Sequence, residues 1–88
     1  MHETSLMNNL MRQIKLLATE NDAKRVSGIK VKLGALTHFS KDHFKEHFEI
    51  AAKGSIAEGA DLEVELLSDE NDPNAQDIFL DEMEIDDE

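Results

Sequence analysis

The chain has no cysteine, tryptophan or tyrosine, and it has one proline and four glycines among its 88 residues. Without cysteine it can form neither a disulfide nor a thiolate zinc site. This length allows one small domain and a small core. No apolar run approaches the roughly 18 residues that span a membrane, and Glu3 and Thr4 are unlike a signal peptide. We therefore expect a single domain over residues 1–88, located in the cytoplasm.

Basic residues are also few. Lys and Arg number nine against 20 Asp and Glu, which gives a formal net charge of −11. Residues 1–60 hold all nine bases and seven acids, whereas residues 61–88 hold thirteen acids and no base. Nucleic-acid binding depends on cations that neutralise phosphate, so we expect no nucleic-acid partner. An acidic block of this kind is typical of a solvated face or of an interaction surface.

The first 20 residues predict a helix. Thr4 or Ser5 is the predicted N-cap, and Asn21 and Asp22 are predicted to end the helix. The apolar residues recur at the three- and four-residue steps of a core-facing helix: Leu6, Met7, Leu10, Met11, Ile14, Leu17 and Ala18.

A strand and a second helix follow. Residues 26–33 alternate between apolar and polar side chains, which predicts a strand with one buried face. The second helix is predicted to begin at Ser40 or Lys41. It runs to Lys53, where Gly54 provides the stop.

The remaining residues predict two more strands. Residues 62–66 alternate apolar residues with glutamates, and residues 68–76 form a loop rich in turn-forming residues. Residues 77–86 predict the last strand, in which the change of phase between Leu80 and Met83 indicates a bulge.

The order of these elements predicts an α/β fold of the α+β type. We expect a small three-stranded mixed sheet with two helices packed on one face. The strand–helix–strand unit favours a parallel pair with a right-handed crossover. The last strand is expected to pair antiparallel with the strand that precedes it, through the loop at 68–76.

The N-terminal Met1-His2-Glu3 could bind a metal. It places an α-amine, an imidazole and a carboxylate within three residues, and the amine and Nδ1 of His2 can close chelate rings on one ion. Nitrogen-rich planar ligand sets suit Cu(II) and Ni(II). The alternative interpretation is an ordinary solvated chain end.

Three further histidines, His38, His43 and His47, lie close together in the sequence. His43 and His47 are four residues apart, so on a helix they share a face and could bind a divalent metal. No glutamate directly follows the first of them, so the zinc-protease pattern is absent. The alternative interpretation is a polar helix face. Since the chain also lacks a thiol nucleophile, a phosphate-binding glycine loop and a nucleophile elbow, we expect no enzyme activity.

Three segments resemble a known family. They are Met-His-Glu-x-Ser-Leu at residues 1–6, Ala-Lys-Arg-Val-x-x-Ile-x-Val-x-Leu-Gly-Ala-Leu at 23–36, and Phe-Glu followed by Lys-Gly-Ser-Ile-Ala-Glu-Gly-Ala-Asp-Leu-Glu-Val-Glu within 48–65. Together they resemble the nickel-binding domain of the HypA/HybF family, metallochaperones of hydrogenase and urease maturation. The resemblance covers residues 1 to about 67, and residues 77–86 are similar to the family's C-terminal strand.

The family normally carries a zinc module with two Cys-x-x-Cys pairs before that last strand. Here only the loop at 68–76 occupies that place, and the chain has no cysteine. The resemblance therefore implies a nickel-binding domain alone, and no zinc is expected.

The resemblance also implies a metal site and partners. It implies that Ni(II) binds at Met1, His2 and Glu3 through the amine, the imidazole and local backbone nitrogens. Some relatives recruit an acid from the loop before the second helix, where this chain has Ser40, with Asp42 two residues later. The implied partners are a hydrogenase-maturation GTPase of the HypB type or a hydrogenase large subunit. The alternative function is a protein-interaction module derived from the family, which binds a partner through the acidic residues 61–88 without delivering metal.

Overall fold

In the computed structural model, the segments with helical and strand periodicity form two helices and three strands. It describes residues 2–37 and 39–86, and at residues 2–4 it describes the backbone alone. In chain order the elements are α1 (His2–Glu20), β1 (Arg25–Leu33), α2 (Lys41–Ala52), β2 (Asp61–Leu66) and β3 (Ile78–Asp86).

The three strands form a mixed sheet in the order β2-β1-β3. β2 is parallel to β1, and β3 is antiparallel to β1. The predicted fold class and the parallel pair are confirmed, but the expected pairing of β3 with β2 is wrong. The loop at residues 67–77 crosses the end of β1 instead, and both of its ends are hydrogen-bonded there. Leu67 N–H donates to Leu33 O at 2.9 Å, and Gly34 N–H donates to Asp77 O at 3.0 Å.

The predicted irregularity in β3 is confirmed as a bulge. Lys30 of β1 pairs with Glu82, and the next residue, Val31, pairs with Leu80, so Asp81 has no residue opposite it. An extra residue of this kind turns a side chain out of the regular alternation. Asp81 uses that turn to approach Lys30, with 3.8 Å between the carboxylate and the ammonium nitrogen.

Both helices pack on one face of the sheet. α1 lies against β3, α2 lies against β2, and the helices touch each other. Burying these apolar faces is the main stabilising contribution to a domain of this size. None of the helices formed by the described residues is long and apolar enough to cross a membrane. The largest fully buried side chains come from both helices and from β1: Leu10, Ile14, Val26, Val31, Leu33 and Phe44.

The ends of α1 differ in how well they were predicted. The helix begins at His2, so Thr4 and Ser5 lie inside it and the predicted N-cap is wrong. Its C-terminal end is where the sequence predicted it. Asp22 has a left-handed φ of 52°, and Ala23 N–H donates to Ala18 O at 2.9 Å. This pattern satisfies carbonyls that the last helical turn leaves free.

The second helix begins as predicted. Ser40 is its N-cap, and the Ser40 hydroxyl accepts a hydrogen bond from His43 N–H at 3.1 Å. The helix ends at Ala52, one residue earlier than predicted, and Gly54 follows with a φ of 80°. Capping fixes where the first turn lies, and it therefore fixes where the side chains of that turn emerge.

Candidate metal centre

The predicted Met1-His2-Glu3 site lies at the beginning of α1. Met1 and the side chains of His2 and Glu3 lie outside the described residues, whereas the backbone of His2 and Glu3 is helical. The first four N–H groups of a helix have no acceptor within the helix. The backbone nitrogens of His2 and Glu3 therefore belong to the few in α1 that no helical hydrogen bond occupies.

This beginning of α1 lies at the end of the sheet where β1 stops. Leu6, one turn into the helix, lines a shallow cleft together with Ile78 and Phe79, the first residues of β3. The segment after β1 lies beside the same chain region, since Leu36 N–H donates to Ala75 O at 2.8 Å. The start of α1, the loop that leads into α2 and the loop at residues 67–77 thus meet at one end of the domain.

Ser40 takes a structural role at this end. Its hydroxyl caps α2, as described above, so the oxygen that would stand in for a relative's acidic ligand already accepts a hydrogen bond. Asp42 lies in the first turn of α2 and is exposed to solvent. A carboxylate there also interacts favourably with the positive end of the helix dipole. Capping and dipole stabilisation account for both residues without a metal.

The structure brings two of the three clustered histidines together. His43 and His47 lie one turn apart on the same side of α2, and their Nε2 atoms are 2.9 Å apart. The predicted shared face is confirmed, while His38 lies outside the described residues. Phe39, which is next to His38 in the sequence, was given no role by the sequence pattern. Its buried ring makes edge contacts with both imidazoles, with ring centroids 5.7 Å from His43 and 6.1 Å from His47. Its position four residues before His43 was the available signal.

Four acids of β2 and β3 lie together on the helix-free face of the sheet. Gly28 of β1 has Asp61 of β2 on one side and Glu84 of β3 on the other. Lys30 is flanked in the same way by Glu63 and Glu82. The missing side chain of Gly28 leaves a shallow groove there, which these four carboxylates line. Nevertheless, no three or more His, Cys, Asp or Glu residues converge as metal ligands anywhere in residues 2–37 and 39–86.

The chain is thus a small α+β domain in which a helix starts within the first two residues, beside loops that meet at one sheet end. Its first 71 residues match a sequence profile described as hydrogenase/urease nickel incorporation, metallochaperone, HypA. The chain belongs to the HypA family.

The curated relatives agree with this assignment. The chain is 38% identical over 64 residues to the hydrogenase maturation factor HypA of Archaeoglobus fulgidus, which covers 73% of this chain and 58% of the relative. It is 36% identical over 67 residues to HypA of Desulfitobacterium hafniense DCB-2, covering 76% and 59%. It is 34% identical over 64 residues to the hydrogenase maturation factor HybF of Escherichia coli K12, covering 73% and 57%. The matched region therefore spans less than two thirds of the length of these relatives.

The fold is also found in a solved relative. The solution structure of the nickel metallochaperone HypA from Helicobacter pylori superposes with a TM-score of 0.77 and covers 97% of each chain, at 18% sequence identity. At that identity the likeness shows a shared fold.

Proposed function

We propose that the chain is a nickel-binding accessory protein for the maturation of a nickel enzyme such as nickel–iron hydrogenase. In this proposal Ni(II) is the cargo, and it is chelated by Met1, His2 and Glu3. The observation that carries the proposal is the family match over residues 1–71, because that match includes the Met-His-Glu start.

The backbone of α1 supports this ligand set. Nickel can bind deprotonated backbone nitrogens at His2 and Glu3 without breaking a helical hydrogen bond, because the first turn has unpaired N–H groups. The helix dipole by itself disfavours a cation at this end. Deprotonated amides and the Glu3 carboxylate offset that effect with negative charge. The imidazole of His2 must be neutral to bind, so binding is expected to weaken as the pH falls through the ordinary histidine pKa of about 6.5.

The proposed recipients are a maturation GTPase of the HypB type and a hydrogenase large subunit. A chelate made by a chain end can be opened one ligand at a time, which suits transfer to a partner that supplies replacement ligands. In this proposal the loop at residues 67–77 replaces the zinc module of the longer relatives. It contains no cysteine and returns the chain directly to β3.

Blocking the N-terminus should abolish nickel binding at the Met1-His2-Glu3 site. We expect the chain with a free Met1 amine to bind one Ni(II) at this site with micromolar affinity. In calorimetric titrations at pH 7.5, nickel binding at this site should be lost or at least tenfold weaker in His2→Ala and in a version with extra residues before Met1. The physical reason is that each change removes one member of the chelate, the imidazole or the primary amine.

The matched control is Gln13→Ala, an exposed substitution elsewhere on α1 that removes no proposed ligand. It should bind nickel as the parent chain does. Equal binding by the parent, His2→Ala and the extended version would exclude the N-terminal site.

A second candidate function is suggested by the acidic groove beside Gly28. Four carboxylates line it on a face that no helix covers, and Lys30 is the only base among its lining residues. Such a face attracts a positively charged partner. In this alternative the chain acts as an interaction module in a maturation complex and delivers no metal.

Salt distinguishes the two functions. If the acidic face holds a partner, capture of that partner by the immobilised chain should survive His2→Ala and fall several-fold between 50 and 500 mM salt, conditions that screen exposed charges. A Glu63→Gln/Glu82→Gln variant should reproduce the loss at low salt. Capture that depends on His2 and on added nickel, and that is insensitive to the carboxylate changes, would exclude the alternative.

A further inference from the structure

We propose that His43 and His47 form a second metal site, which binds Ni(II) or Cu(II) through both Nε2 atoms. The two residues project from the first two turns of α2, and neither belongs to the N-terminal chelate proposed above. The inference therefore goes beyond that function and stands independently of it.

The distance between the two nitrogens carries the proposal. With a metal–nitrogen distance of about 2.1 Å, two ligands at a right angle are separated by about 3.0 Å. The Nε2 atoms of His43 and His47 are 2.9 Å apart. The pair therefore already has the spacing of adjacent positions in a square-planar or octahedral complex. A tetrahedral zinc ion would require about 3.3 Å between them. The observed spacing is thus compatible with Ni(II) and Cu(II), which prefer right angles.

Phe39 holds the imidazoles in this arrangement. It is 6% exposed, and its ring meets each imidazole edge to face. Phe39 is itself fixed by an edge contact with Phe44, which is fully buried in the core. The two ligands are thus supported by a rigid aromatic pair, and less side-chain freedom is lost when they bind an ion.

The metal would replace a hydrogen bond. Two nitrogens 2.9 Å apart share one proton when both rings are neutral, so one Nε2 donates and the other accepts. On binding, the donor ring moves its proton from Nε2 to Nδ1, and the two rings turn about their side-chain bonds so that both Nε2 lone pairs meet at the ion. No proton is released, and no charge on the protein changes.

The remaining coordination positions stay open. No third His, Cys, Asp or Glu side chain joins the pair among the residues that the structure describes. His43 is exposed and His47 is half-buried, so water or a ligand from another protein can complete the coordination. A two-ligand site that faces solvent exchanges its ion readily. This arrangement suits metal that is being acquired or passed on.

A titration that removes the N-terminal chelate tests the inference. In a His2→Ala background with extra residues before Met1, calorimetry with NiCl₂ should still show one bound equivalent. Adding His43→Gln should abolish it, while Lys45→Gln, an exposed change on the same helix, should leave it intact. In NMR spectra of the background protein, paramagnetic Ni(II) should broaden the ring signals of His43 and His47 before any others. Chelation across one helical turn should also raise the melting temperature, and His43→Gln should remove that rise.

Two outcomes would overturn the site: no nickel binding in the background protein, or binding unchanged by His43→Gln. A separate variant tests the N-terminal site. The His43→Gln/His47→Gln variant with a free Met1 amine should still bind one equivalent, and its failure to do so would count against the Met1-His2-Glu3 proposal alone.

Discussion

Gly34→Ala is expected to destabilise the domain by about 3 kcal/mol, a large part of the ~5–15 kcal/mol that holds a small protein folded. A Cβ added at Gly34 would lie 2.2 Å from the carbonyl oxygen of Ala75 and 2.5 Å from its carbon. The two segments cannot move apart easily. Gly34 N–H donates to Asp77 O at 3.0 Å, Leu36 N–H donates to Ala75 O at 2.8 Å, and Ala75 is 3% exposed.

Urea unfolding followed by circular dichroism measures this effect. The matched control is Gly28→Ala in the middle of β1. There the nearest atom to an added Cβ belongs to the Glu84 side chain at 3.4 Å, an ordinary contact, and glycine disfavours a strand interior, so we expect no loss of stability. Equal midpoints for Gly34→Ala and the parent chain would show that the loop at residues 67–77 is not docked against the end of β1.

Phe44→Ala is expected to lower the free energy of unfolding by about 3–5 kcal/mol. The Phe44 side chain is fully buried, and its ring centroid lies 5.4 Å from that of Phe39 and 6.5 Å from that of Phe48. Removing it leaves a cavity beneath α2, and the helix is otherwise held by few large side chains. The same change removes the support of Phe39, and with it the fixed geometry of the two histidine rings.

Ile50→Ala provides the control on the same helix. Ile50 is 76% exposed, and alanine has the higher helix propensity, so we expect an unchanged or slightly higher unfolding midpoint. Thermal and urea unfolding of the three proteins separates burial from helix propensity. Losses of similar size in Phe44→Ala and Ile50→Ala would contradict the packing of α2 on the sheet described here.

The helices and strands could be predicted from the sequence because their apolar residues recur with clear helical or strand periods. The apolar residues of α1 and the alternation in β1 and β2 depend on local geometry alone. The partner of β3 was mispredicted because a preference for sequential neighbours is only statistical. Two strand spacings are about 10 Å, a distance that the loop at 67–77 spans without strain. The length of this loop therefore allowed β3 to pair with either β2 or β1.

The candidate site was predictable in part. The ligand types at Met1, His2 and Glu3 suggested a chelate. Its assignment to nickel came from a resemblance, since three residues at a chain end carry little pattern of their own. The start of α1 at His2 was missed because Thr4 and Ser5 have a high preference for the N-cap position. That local preference did not determine where the helix begins. The pairing of His43 with His47 followed from helical spacing. The Phe39 contact did not, because it depends on how the loop before α2 folds back.

β1 pairs with β2 and with β3, the strand further from it in the sequence, and this has a consequence for how the protein folds during synthesis. Val26 pairs with Ile85, 59 positions further along the chain, and α1 packs against the strand that contains Ile85. Contacts of such sequence separation form late and slow the folding reaction. α1 leaves the ribosome before β3 does, so the sheet beneath it can be completed only after β3 has emerged. Until then the part of α1 that packs against β3 remains uncovered, and a nascent chain in that state is a natural substrate for chaperones.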